Sequence, residues 1–262
     1  MKANHQLVKR LLEARNLNTP LTLQAAIELS PESECEAYQV QKSVAHDLGW
    51  FNTQGPRLWK LGGRLGSPTA AALGVSVLTH HTKSEPLVLY VDEACTFTGI
   101  ELELAVKLKK PLSAGDDLND AIAAIGETYL AIEVCDERAE QWQSLPDLFQ
   151  LADHHMNRKI ILFGMPFEGW HDDLIHITPV IQLGQELISD KTLTHPQGHP
   201  LQALPWLANL SQDLYGQPLE SGTIISTGTW AGMQMISQSK SFSASLDGFQ
   251  KAEILLTSRE TL

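Results

Sequence analysis

The chain has 262 residues, enough for one large domain or two small ones whose core needs no disulfide staples. Its net charge of -12 argues against a nucleic-acid partner, because phosphate binding needs a basic face. No apolar stretch reaches the roughly 20 residues of a membrane helix, no signal-peptide pattern opens the chain, and Cys35, Cys95 and Cys135 lack Cys-x-x-Cys spacing, so the expectation is a cytoplasmic protein without a membrane partner.

Leu7, Val8, Leu11 and Leu12 recur at helical spacing and predict a first helix. A second helix follows Ser30-Pro31, with Ser33 and Glu36 at capping-box spacing and Gly49 as its C-terminal glycine. Ser67-Pro68-Thr69 is expected to open a short third helix that Gly74 closes. Beyond about residue 85 the pattern turns to strands: Pro86–Val91, then Gly99–Leu108, then Thr128–Cys135 after a helix from Ala114 to Ile125. Leu145–His154 and His199–Leu214 read as helices, Lys159–Phe163 as a strand. Strands with turns follow from Gly222: Thr223–Ser226, Gln234–Ile236, Ser241–Leu246 and Ala252–Leu256. The predicted class is α+β, with a mainly helical region over 1–80 and a β-rich part over 81–262.

Glu101 and Glu103 lie in one of these strands and Glu133 in another. Alternate strand residues share a face, so Glu101 and Glu103 point together while Ile100, Leu102 and Leu104 point into a core. Carboxylates on such apolar strands are costly unless a cation compensates them, and three of them suit a hard divalent ion such as Mg2+ or Mn2+. An amphipathic strand that shows Glu to solvent is the plain alternative. The acids Asp92-Glu93 and Asp116-Asp117 read as turn and helix-start residues, His80-His81 as a surface loop, and Trp206 and Leu207 as core.

In order along the chain stand Trp59-Lys60-Leu61-Gly62, Glu101-Leu-Glu103, Ala131-Ile-Glu133-Val, Ala152-Asp153, Gly198-His199-Pro200-Leu201 with Trp206-Leu207-Ala208, and Gly222-Thr-Ile-Ile-Ser-Thr227-Gly228. This series resembles the fumarylacetoacetate hydrolase superfamily, within it the 2-keto-4-pentenoate hydratase and 4-oxalocrotonate decarboxylase group. The Gly-His-Pro-Leu…Trp-Leu-Ala stretch is its most specific piece. The resemblance implies a mixed β-roll with a small helical N-terminal region, a homo-oligomer, and a divalent metal on Glu101, Glu103 and Glu133. It also places the site lysine on Lys60. The chain departs from the family pattern at Ile100, at Gly62-Gly63-Arg64, at Gly74–Val77 where no Asp stands, at His154-His155-Met156 and at Thr223.

The implied activity is that of a metal-dependent lyase on 2-oxo and 2-hydroxydienoic acids, hydratase before decarboxylase. An acylpyruvate C–C hydrolase and a non-catalytic, ligand-binding member are the alternatives. Lys60 is read as the cation for the substrate carboxylate, or as an acid/base, against a plain exposed lysine. Asp153 is read as orienting Lys60 or a water. Thr227 and Gly228 are read as holding a substrate carboxylate, against a simple turn, and His199 as a further contact, against bracing a helix start. One of His154 and His155 is a candidate base, but adjacent histidines diverge too far to share a metal.

Overall fold

Residues 2–51, 55–236 and 241–259 are described in this computed structural model. Its helices are α1 (Lys2–Leu17), α2 (Leu23–Leu29), α3 (Glu34–Asp47), α4 (Leu118–Ala124), α5 (Asp147–Ala152) and α6 (Leu204–Tyr215). The strands are β1 (Leu58–Arg64), β2 (Ser67–Leu73), β3 (Leu78–His81), β4 (Leu87–Tyr90), β5 (Thr98–Leu108), β6 (Ile125–Cys135), β7 (Asn157–Glu168), β8 (His176–Ile177), β9 (Val180–Leu183), β10 (Glu186–Ser189), β11 (Leu193–Thr194), β12 (Ile224–Ser226), β13 (Gln234–Ile236), β14 (Ser241–Ser245) and β15 (Ala252–Thr257).

The main sheet runs β2-β1-β12-β5-β6-β7-β3, with β13 also pairing β5; a second sheet runs β10-β9-β14-β15-β4. Alternation along the central strands decides what each face meets. Ile100, Leu102 and Leu104 of β5, with Ile132 and Val134 of β6 and Ile161 and Phe163 of β7, pack against Ile181, Phe242, Ala244, Ile254 and Leu256 of the second sheet. The opposite face carries Ala105, Ala131, Ile160 and Leu162, joined by Leu58 and Ala71. The N-terminal helices form their own core around Leu7, Leu11, Val40 and Phe149. Gln41 of α3 ties it down by donating to the carbonyls of Ala70 in β2 and Leu151 in α5, at 3.2 and 2.5 Å.

The α+β class and the β-roll are as expected. Strands β1 and β2 and most of β3 come from the first 80 residues and belong to the main sheet, so that region is not helical throughout. One element is corrected: Ser67–Leu73 is the edge strand β2, not a helix. Its three alanines are small enough to lie under α3, whose Tyr38 hydroxyl accepts from the Ala70 N–H while Gln41 takes the Ala70 carbonyl. An edge strand's outward backbone groups are satisfied this way, and tertiary pairing overrides alanine's helical preference.

Helix boundaries shift for identifiable reasons. α4 starts at Leu118 because Asp117 is its N-cap, in a capping box with Asp120. α6 begins only at Leu204 and ends on Gly216, at φ 69°. Ser33 caps α3, but Glu36 reaches the Glu32 N–H rather than that of Ser33. No described helix is long and apolar enough to cross a membrane.

Candidate active site

Register brings the acids together. β5 and β6 pair so that Glu101 lies directly opposite Glu133 and Glu103 opposite Ala131, placing all three carboxylates on one face. β12 continues the same face: Ser226 pairs with Ala105 of β5 and with Lys60 of β1. Lys60 is thereby delivered to the acids by a parallel pairing between segments 166 positions apart (60 and 226). These strands line a cleft of about 180 Å³ with Lys60, Glu101, Glu103, His155, His195 and Gly228 on its wall.

Lys60 Nζ donates to Glu133 Oε1 at 2.7 Å and to the His155 carbonyl at 2.9 Å. Asn157 also donates to Glu133 Oε1, at 2.8 Å. Glu103 Oε2 accepts from the Ser226 hydroxyl and, at 3.3 Å, from the Gly228 N–H. The buried oxygens Glu103 Oε1 and Glu133 Oε2 have no partner. Orphaned buried carboxylate oxygens are costly, and a divalent cation satisfies them.

The electrostatics point the same way. Burial, then the charges of Glu133 and Glu101, push the Glu103 carboxyl well above the usual carboxylate range. Burial raises Glu101 to about 7, with Lys60 opposing and Glu133 adding to the rise. Burial alone would lower Lys60, but Glu133, Cys135, Glu101 and Glu103 outweigh it and keep the ammonium charged. One lysine against three carboxylates leaves the cluster short of positive charge.

Among the described residues, one trio of potential ligand atoms lies within 4.8 Å of one another: those of Glu101, Glu133 and Cys135. Cys135 is a neighbour the sequence reading did not single out. It sits two residues beyond Glu133 on the same face and donates to Glu101 Oε2 at 3.6 Å. Burial and the two glutamates hold its thiol well above its usual value, so it stays protonated and braces Glu101. The ligands left are carboxylate oxygens, which favours a hard cation over a thiophilic one.

A relative named 2-keto-4-pentenoate hydratase, from Paraburkholderia phymatum, is 28% identical over 251 residues, covering 91% of this chain and 92% of its own. The 2-keto-4-pentenoate hydratase 1 of Dechloromonas aromatica is 28% identical over 157 residues, 60% of this chain and 59% of that protein. Among solved structures, 4-oxalocrotonate decarboxylase from Pseudomonas putida G7, complexed with magnesium and adipate, matches with a TM-score of 0.82 at 21% identity over 97% of each chain. The chain is thus similar in sequence to 2-keto-4-pentenoate hydratases and shares the fold of 4-oxalocrotonate decarboxylase. Fumarylpyruvate hydrolase from Pseudomonas aeruginosa, in complex with Mn2+ and pyruvate, shares the fold more distantly, with a TM-score of 0.59 at 12% identity over 78% of this chain. No protein-family model matches the chain.

This fold gathers some of the sequence candidates and disperses others. Lys60, Glu101, Glu103, Thr227 and Gly228 line the cleft. Glu133 is buried behind its wall, bonded to Lys60. The Thr227 hydroxyl is spent on the Leu104 carbonyl at 2.9 Å, leaving Gly228, at φ 100°, to present its N–H to Glu103. His199 does not line the cleft: its Nδ1 accepts from the Leu201 N–H at 3.0 Å and its ring lies against Trp170.

Asp153 also lies apart from the cleft, in a buried ion network. Arg138 donates to its Oδ2 at 2.6 Å and Arg15 to its Oδ1 at 2.9 Å. This network anchors the turn that follows. His154, His155 and Met156 have φ of 57°, 51° and 60°, a run of left-handed backbone without glycine. Such strain persists only where the surroundings impose it. Here it delivers the His155 carbonyl to Lys60. Of the two histidines, His154 is buried beside Arg15 and Trp50, and His155 faces the cleft.

Proposed function

We propose that the chain is a divalent-metal-dependent hydro-lyase on 2-oxo and 2-hydroxydienoic acids, of the 2-keto-4-pentenoate hydratase type. The observation that carries this is the set of three acids on one sheet face, with unpartnered oxygens on Glu103 and Glu133, beside a charged lysine in a small cleft. The names of the curated relatives support the reaction class.

Glu101, Glu103 and Glu133 would hold the cation, with Mg2+ or Mn2+ the proposed ion. Bound there, it would polarise the 2-keto oxygen and stabilise negative charge on it. The reaction needs two proton movements and one water. Ketonisation moves the enol proton of a 2-hydroxypenta-2,4-dienoate to C5. Water then adds its oxygen to C4 while C3 takes up a proton, giving a 4-hydroxy-2-oxo acid. Lys60 uses two of its three N–H donors on Glu133 and His155; the third is free for a substrate oxygen or for proton transfer. The apolar surround of Leu58, Ala105, Ala131 and Ile160 limits water to what the cleft admits.

The test is a Glu101→Gln, Glu103→Gln double variant assayed with 2-hydroxypenta-2,4-dienoate. Mg2+ binding by calorimetry should vanish and turnover should fall by more than about a thousandfold. Wild-type rates in that variant would end the proposal. Product analysis separates the neighbouring chemistries: hydration yields one acid, decarboxylation releases CO2, and C–C hydrolysis yields two acids.

A cytoplasmic location and a homo-oligomer are part of the reading, the first supported by the odd cysteine count. Light scattering on the purified chain is expected to return a multiple of the monomer mass; a monomer at micromolar concentration would refute the assembly.

A further inference from the structure

The cleft holds more hydrogen-bonding groups than the acids and Lys60, and most of them are already committed. Thr227 donates to Leu104, and the Gln197 amide donates to the Gly62 carbonyl at 3.1 Å. Besides Glu103 Oε1, three side-chain atoms on the wall have no hydrogen-bond partner: His155 Nε2, Thr229 Oγ1 and His195 Nε2. A threonine hydroxyl rotates and both donates and accepts, so it selects for no particular charge. His195 is different, because its tautomer is set by the backbone.

His195 is 3% exposed and sits in a tight turn closed by the Gly198 N–H donating to its carbonyl at 2.8 Å. Its Nδ1 accepts from the Gln197 N–H at 3.2 Å. The remaining proton of the neutral ring is therefore on Nε2, which makes that atom a donor. The ring is wedged edge-on against Trp230, with centroids 5.0 Å apart. Nε2 lies beside Gly228, about van der Waals distance from where a Cβ there would stand, at 3.5 Å. Burial pulls the imidazole down to about 4; the Gly228 and Thr227 carbonyls lie near enough to oppose this but do not meet hydrogen-bond geometry with Nε2, and the ring is neutral at pH 7.

We propose that His195 is a substrate-binding residue that donates a hydrogen bond from Nε2 to a carboxylate oxygen of the bound 2-oxo acid. This rests on the metal-dependent reading above. The acid cluster repels a substrate anion, and a fixed neutral donor across the cleft attracts one without competing for the cation. The same donor disfavours analogues that lack an acceptor there, because a buried N–H would be left unpaired.

The experiment is calorimetry on the Mg2+-loaded protein with oxalate as the probe. Wild type should bind oxalate only with Mg2+ present. His195→Leu should weaken oxalate by about tenfold to a hundredfold, the range of a buried hydrogen bond to a charged acceptor, with Mg2+ affinity unchanged. His195→Gln, which keeps a donor near the Nε2 position, should recover most of the loss. Independently of any variant, the Nε2–H proton of 15N-histidine-labelled wild type should move downfield on adding oxalate. Oxalate affinity unchanged in His195→Leu, or an unmoved Nε2–H resonance while oxalate binds, overturns the assignment of His195 alone. Absence of Mg2+-dependent oxalate binding by wild type overturns both that assignment and the functional reading.

Discussion

Asp153→Ala is expected to cost the fold about 3–5 kcal/mol, the effect of stranding buried charges. Both arginines would lose the carboxylate they bond, keeping only the Asp153 backbone carbonyl at that position, and Arg138 is 2% exposed. For a chain of this size the loss corresponds to a melting temperature lower by roughly 6–20 °C, measurable by calorimetry. The pH dependence has a defined sign. Burial would raise the Asp153 carboxyl, but Arg138 and Arg15 outweigh it and hold it at about 2. Its folded value lies below its unfolded one, so its stabilisation is complete above about pH 4 and is lost as pH falls through about 2. The variant should therefore lose stability least, relative to wild type, at the acid end. Equal stability of the two proteins at pH 7 would show that the network contributes nothing. Because Asp153 anchors the His154–Met156 turn, the variant should also loosen the carbonyl that holds Lys60.

Lys60→Met is expected to lower kcat/KM by about 10²–10⁴ while Mg2+ binding is kept. In the proposed function Lys60 would have two roles, and this variant separates them. Without an ion it neutralises Glu133 at 2.7 Å. With an ion bound, that charge would be compensated elsewhere, and the ammonium would be free to serve substrate. If Lys60 were only a counter-ion, the Mg2+-loaded variant would turn over like wild type. Steady-state kinetics with calorimetric Mg2+ titration measures both quantities. The volume of methionine preserves packing against the strand, so a lost charge rather than a cavity is read out.

The legible parts of this protein are those encoded within a single strand. Glu101 and Glu103 share a face by the two-residue period, and Ile100, Leu102 and Leu104 pack on the other side as that period demands. The β-rich character after residue 85 and the Ser33 cap of α3 are similarly local. Glu133 stood out as a single acid in an apolar strand, whereas Lys60 was assigned to the site only through the resemblance to a known family.

Tertiary pairing settled the rest. That Glu133 stands opposite Glu101, and that Ser226 lies between Lys60 and Ala105, depends on register between strands far apart in the chain, which no local pattern encodes. Ser67–Leu73 is extended because an edge position beneath α3 was open to it, not because of its composition. Asp153 was separated from the cleft by two arginines, one on α1 and one past β6, whose approach only folding arranges. His195 came into the cleft through a turn whose bond to Gln197 fixes the ring, a feature with no sequence signature beyond a histidine before a proline. Side-chain direction along one strand follows from stereochemistry; convergence across several requires the long-range contacts that close the sheet.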